Sequence, residues 1–161
     1  MKSKNLFLNI LEKNSDIVQG AASIGVDKLN YYTLKQKQNS IMDGTFANYN
    51  VARRNVLNCL NKNRQISVFY IYQDPIIAWD FTRKREKLEG RYVPKEAFIK
   101  ASFNARENVQ LIKKEFGDKI ILNLVTKDEI NATKTVKFNI TNIDNLTEKS
   151  YNKNSLNEEL C

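Results

Sequence analysis

Nine residues, "QISVFYIYQ" at 65–73, constrain the fold more than any other stretch of this chain. They are β-branched or aromatic almost throughout, with apolar side chains at both odd and even positions. A strand that alternates apolar and polar residues buries one face. A strand apolar on both faces needs cover on both, so this one reads as a central strand of a mostly parallel sheet. Asp74-Pro75 follows at once. Aspartate is a good helix N-cap, and proline suits the first helical position. The strand therefore feeds a helix directly, as a crossover connection does.

The remaining elements are arranged around it. Residues 16–38 predict a helix, with Asp16 as cap and Val18, Ala22, Val26 and Leu29 at helical spacing. "SIMDGTF" at 40–46 reads as a short strand tip ending in Asp-Gly. A second helix is expected over 47–61. The helix opened by Pro75 should run to Glu89 and stop at Gly90. Another follows Val93-Pro94, carries Phe98, Ala101, Ala105, Val109 and Ile112 on one face, and ends at Gly117. Strands are expected at 119–126 and, more weakly, at 133–140. From Asn142 the chain is polar and reads as a loose tail. Strands separated by helices imply an α/β fold whose sheet is mostly parallel and covered on both sides. Ligands in such sheets sit beyond the carboxyl ends of the strands. Asp43-Gly44-Thr45 and Gln73-Asp74-Pro75 both fall there.

Composition removes several function classes. The chain has 161 residues, enough for one domain with a real core, and a net charge of +8. A basic balance favours polyanionic partners such as nucleotides, nucleic acid or acidic lipid. The surplus is spread out with no run of five or six like charges, so a nucleic-acid tail is not indicated. There is no histidine, which excludes His-based acid–base catalysis and catalytic Cys-His pairs. Cys59 and Cys161 lie far apart and suggest no disulfide framework, which suits a reducing cytoplasm. No window is long and apolar enough for a membrane span, and Asn9 and Glu12 interrupt the apolar start, so no signal peptide is read.

The densest charge is in "FTRKREKLEGRYVPKE", residues 81–96, directly after the strong strand and inside the helix opened by Pro75. With about 100° per residue, Arg85 falls at the edge of the stripe formed by Ile77, Phe81 and Leu88. Arg83 falls out in solvent, and Lys84 lands within the stripe with its stem packed and its head escaping. Arg91 follows Gly90 in a turn. One reading is a solvated basic helix with i,i+4 partners such as Asp80 with Lys84. The other is a phosphate clamp, because the guanidinium fork gives two parallel hydrogen bonds at fixed charge. Asp43 has two readings as well: a turn residue, or a carboxylate facing a bound hydroxyl or a metal. Trp79 and Tyr92 could stack a base but read as packing. Arg53-Arg54 reads as surface. Nowhere is there a G-x-x-x-x-G-K-[ST] or a G-x-G-x-x-G; the five glycines stand at 20, 25, 44, 90 and 117.

Taken in order, "SDIVQGAASIGVDKL", "SIMDGTFAN", "FYIYQDPIIAWDFTRKREKLEGRYVPKEAF" and "FNARENV" resemble the zeta-toxin family of P-loop kinases over roughly residues 14–128. The resemblance implies a three-layer parallel α/β fold and ATP- and Mg²⁺-dependent phosphorylation of a UDP-amino sugar such as UDP-N-acetylglucosamine. It also implies a bacterial toxin–antitoxin setting. Matched position by position, Asp43 and Thr45 in "IMDGT" correspond to the family's acidic-Gly-Thr motif that contacts the sugar. Arg91 in "GRYVPKE" corresponds to an arginine that reaches the ATP phosphates. Arg85 corresponds to the second phosphate arginine, with Arg83 as the substitute.

The family's opening strand, Walker-A loop and catalytic aspartate find no counterpart in this sequence. The expectation is accordingly a partial three-layer P-loop kinase-like fold. Residues 1–13 have no family counterpart, residues 14–141 form an incomplete zeta-toxin-like domain, and residues 142–161 form a polar tail. Such a chain would be a truncated kinase, inactive alone. Two alternatives stay open: one half of a split kinase completed by an N-terminal fragment, or a non-catalytic module that binds an antitoxin or a polyanion.

Overall fold

The computed structural model describes residues 15–128, 133–143 and 151–160. The chain divides into two compact units, one formed by Met1–Asp43 and Thr82–Val93, the other by Gly44–Phe81 and Pro94–Cys161.

The first unit is built on helix α1, Ser15–Lys35. The side chains of Asp16 and Val18 lie outside the described residues; the rest of the expected stripe, Ala22, Val26 and Leu29, is exposed, and Asn30 and Leu34 are buried instead. The expected strand over 40–46 does not form either: the chain has no regular structure from 38 to 48. A strand exists only through a ladder partner, and Ile41 is 98% exposed. Phe46 also takes a left-handed φ of 58°, which no extended strand contains. The unit further includes the second half of helix α3, described below, and the turn after it.

The second unit holds the sheet. Helix α2, Tyr49–Leu60, is capped by Asn48, whose side chain accepts from the Val51 amide, and buries Ala52 and Val56. Strand β1, Ser67–Tyr72, leads through Asp74 into helix α3, Pro75–Glu89. Helix α4, Lys95–Phe116, ends at Gly117, whose φ is 54°. A short 3-10 turn, Gly117–Lys119, delays strand β2 to Ile121–Asp128, two residues later than expected. Strand β3, Thr133–Lys137, completes a sheet of order β1-β2-β3.

The architecture is α/β with a mixed sheet. β1 pairs parallel to β2, Val68 opposite Leu122 and Tyr70 opposite Leu124. β3 pairs antiparallel to β2, Val125 opposite Val136. One sheet face is covered. Val68 and Tyr70 of β1 and Leu122 of β2 pack with Val109 of α4 and with Ile143. Ala52 and Val56 of α2 join Ile112, Phe116 and Ile120 beside them. Among the described residues the opposite face is largely uncovered: Phe69, Ile71, Ile121, Val136 and Phe138 are all exposed, although Asn123 of β2, opposite Phe69, is buried. The sequence expects β1 to be central and covered on both sides. Among the described residues it is an edge strand covered on one side, consistent with a partial P-loop kinase-like fold.

The chain beyond Asn142 is not wholly loose. Helix α5, Lys153–Glu159, starts in a capping box between Asn152 and Ser155. Leu156 and Leu160 bury themselves against Trp79 of α3 and Ile99 of α4. The two leucines stand four apart, one helical turn, and supply enough apolar surface to dock an otherwise polar segment. Lys95 reinforces the dock, its Nζ donating to the carbonyls of Asn157 and Leu160 at 3.0 and 3.1 Å.

Candidate functional site

Three short segments carry the expected site residues. The first is the loop 43–48. Asp43, Gly44 and Thr45 are exposed. Thr45 Oγ1 accepts the Ala47 amide at 3.4 Å. Phe46 then takes its left-handed backbone and sends its ring toward the core, where it packs against both buried clusters of the sheet's covered face. Helix α4 holds the loop by its carbonyls. Asn108 Nδ2 donates to the Phe46 carbonyl at 3.0 Å, and Asn104 Nδ2 to the Ala47 carbonyl at 3.5 Å.

The second segment is the carboxyl end of β1. Asp74 caps α3 with Oδ1, which accepts the Ile76 amide at 2.9 Å. Its Oδ2 accepts the Tyr151 hydroxyl at 3.1 Å. Burial, and secondarily the Asp74 carboxylate, push the Tyr151 hydroxyl up to about 12. Next to Asp74, both polar atoms of the Gln73 amide are buried without a hydrogen-bond partner.

The third is the basic half of α3 and its end. Arg85 forks onto Glu89 through Nε and Nη2, at 3.3 and 3.2 Å. Arg83 pairs with Glu86 at 3.6 Å. The side chains of both arginines are about half exposed, 53% and 50%, so the structure does not separate them as the helical wheel does. The wheel takes Ile77, Phe81 and Leu88 as the buried stripe. In the structure Leu88 is 85% exposed, and Trp79 is the buried residue of the helix. Gly90 ends α3 with φ 68°, its amide donating to the Glu86 carbonyl at 2.9 Å. Arg91 is exposed in the turn that follows. Arg83, Arg85 and Arg91 thus share one helix and its exit, in the unit that also contains Asp43. Thr45 belongs to the other unit.

The glycines bear on what could hold a triphosphate. Gly20 and Gly25 lie inside α1, and Gly90 and Gly117 end helices. Only Gly44 lies in a loop of the candidate site. A phosphate cradle needs consecutive backbone amides turned to one point, which glycine-rich loops provide. The described residues contain no such loop, so they do not fit ATP with its Mg²⁺ unaided.

Residues 8–140 match the family model described as zeta toxin. The chain belongs to the zeta toxin family. Membership implies kinase-like chemistry and a nucleotide-related ligand. No curated protein matches the chain. None of the described helices is long and apolar enough to cross a membrane.

Sequence reasoning assigns no role to Asn104, Asn108, Gln73 or Tyr151. The two asparagines had a visible signal. They stand four apart in "FNARENV", beside the small and apolar positions Ala101, Ala105 and Val109, where a polar pair must find partners. Gln73 was marked only by its place at the carboxyl end of β1, and Tyr151 had no signal, because its surroundings depend on where the last helix docks.

Proposed function

We propose that this zeta toxin family member carries the sugar-binding motif and the arginines of a phosphoryl-transfer site for a UDP-amino sugar, UDP-N-acetylglucosamine or a close relative. Asp43 and Thr45 would contact the sugar. Arg91 and Arg85, with Arg83 as substitute, would neutralise the phosphates of ATP as charge develops on the transferred group. The family match over residues 8–140 carries this reading. The exposure of Asp43, Thr45 and Arg91 supports it; Arg85, exposed as well, would exchange its pairing with Glu89 for a phosphate. With neither a Walker lysine nor a glycine cradle among its residues, the chain alone binds sugar but does not turn over.

Calorimetric titration with UDP-N-acetylglucosamine tests the binding half. Saturable binding that is lost in Asp43→Asn and Thr45→Ala is expected; no binding by a folded chain would refute it. Incubation with ATP and Mg²⁺ tests the catalytic half. No phosphorylated sugar is expected, and turnover that disappears in Arg91→Ala would show a complete enzyme.

One observation favours a second reading, the split kinase. Phe69 and Ile71 of β1 are 54% and 59% exposed, although their strand has the composition of a doubly covered one. A separate polypeptide supplying the P-loop would then restore ATP binding on co-expression. Two folded pieces that together bind no ATP would exclude it.

A further inference from the structure

Loop 44–48 has an unusual arrangement. Its conformation depends on a non-glycine residue, Phe46, at φ 58°. That region crowds Cβ against the carbonyl and is avoided by aromatic residues unless their surroundings impose it. Two restraints impose it here. The ring is packed against two core clusters. The carbonyl is held by Asn108, only 7% exposed. The next carbonyl, of Ala47, is held by Asn104, and Asn48 then caps α2. Both donors come from one face of α4, about sixty positions away in the chain. An asparagine buried on a largely apolar helix face loses its hydration and must recover it from a partner. Here the recovered bonds fall on the loop that bears Thr45.

We propose that Asn108 and Asn104 are positioning residues for the sugar-contacting motif. They fix the Phe46 and Ala47 carbonyls from behind, so that Phe46 keeps its left-handed turn and Thr45 stays presented outward. The geometry of the site is then set by α4, a long helix packed on the sheet, and not by the loop's own preferences. Preorganisation of this kind lowers the ordering cost of binding. The role of Thr45 rests on the function proposed above; the loop-holding itself does not.

The test compares hydrogen–deuterium exchange over residues 44–48 with calorimetric affinity for UDP-N-acetylglucosamine. Asn108→Asp keeps the side-chain shape and, when ionised, removes the donor. Asn104→Ala is the second variant, at a less buried position, should the first not fold. Ile99→Ala, on the same helix but in the cluster of Trp79 and Leu156, is the control: it loosens the core away from Phe46 and leaves both asparagine bonds in place. The asparagine variants should raise exchange in 44–48 and weaken sugar binding about tenfold, as expected for a lost buried hydrogen bond. Ile99→Ala, at an equal loss of Tm, should do neither. Unchanged exchange in the asparagine variants, or the same changes in Ile99→Ala, would overturn the positioning role. A wild-type chain that binds no sugar, with a loop that still loosens in the variants, would overturn the proposed function and leave the loop-holding intact.

Discussion

Tyr151 and Asp74 meet across 77 positions, the tyrosine hydroxyl donating to Oδ2 at 3.1 Å while Oδ1 of the same carboxylate caps α3. One aspartate thereby joins the start of the crossover helix to the segment that precedes α5. Asp74→Ala should remove both bonds, at a cost of about 1–2 kcal/mol, mostly from the cap. Asp74→Asn keeps an oxygen that can accept and should recover most of the loss. Urea unfolding of the three proteins measures this. An alanine variant as stable as the wild type would mean that the aspartate holds neither element.

The same pair makes the dock of α5 sensitive to alkali. The Tyr151 hydroxyl titrates at about 12, raised from 10.0, so the folded chain holds this proton more tightly than the unfolded chain. The stability it contributes is full below about pH 10 and is lost as pH rises toward 12. Trp79, the one tryptophan of the chain, is buried in the cluster that contains Tyr151. Its fluorescence should shift in that window, and Tyr151→Phe should abolish the step. A step of unchanged size in the variant would assign the alkaline transition to another group. Tyr49 is raised as well, through Glu115, but it packs in a different cluster.

What could be read in advance follows a physical division. β1, the α3 cap at Asp74 and the helix ends at Gly90 and Gly117 are local: each depends on residue type and immediate neighbours, and each is legible in the sequence. The failures are non-local. "SIMDGTF" has strand composition, but a strand also needs a partner, and composition does not supply one. The stripe on α3 was set by Ile77, Phe81 and Leu88, whereas Trp79 wins because α5 brings Leu156 and Leu160 to it. Lys113 shows the same limit. It is buried at 6% exposure because its Nζ reaches back to the carbonyls of Gly117 and Ile120, a use that no periodicity reveals. For the candidate site, the exposed residues were given roles by resemblance, whereas the asparagines behind Thr45, although visible in "FNARENV", were given none, because their partners lie some sixty positions away.

Leu156 measures how much the C-terminal helix contributes. It is fully buried, against Trp79, Ile99 and Leu160. Leu156→Ala should destabilise the chain by about 2–5 kcal/mol, the usual range for a large-to-small core change. Because α5 has only seven residues, it has little stability apart from its dock. Trp79 emission should therefore move to the red before the sheet unfolds. A single coincident transition would show instead that α5 and the sheet melt as one cooperative unit.

Gly44 separates a structural glycine from a functional one. Its φ is not left-handed, unlike those of Gly90 and Gly117, and a Cβ built on it meets no atom within 4 Å. Neither backbone strain nor packing in the folded chain calls for glycine here. Gly44→Ala should thus leave stability unchanged or raise it by about 0.4–1 kcal/mol, since alanine restricts the unfolded chain. If a sugar approaches this backbone between Asp43 and Thr45, the added methyl occupies that space. The expected result is wild-type or higher Tm with affinity for UDP-N-acetylglucosamine lowered tenfold or more, a change of about 1.4 kcal/mol. Thermal melts and calorimetry on one preparation decide it. Unchanged affinity would place the sugar away from residue 44 and leave Thr45 without its assigned contact.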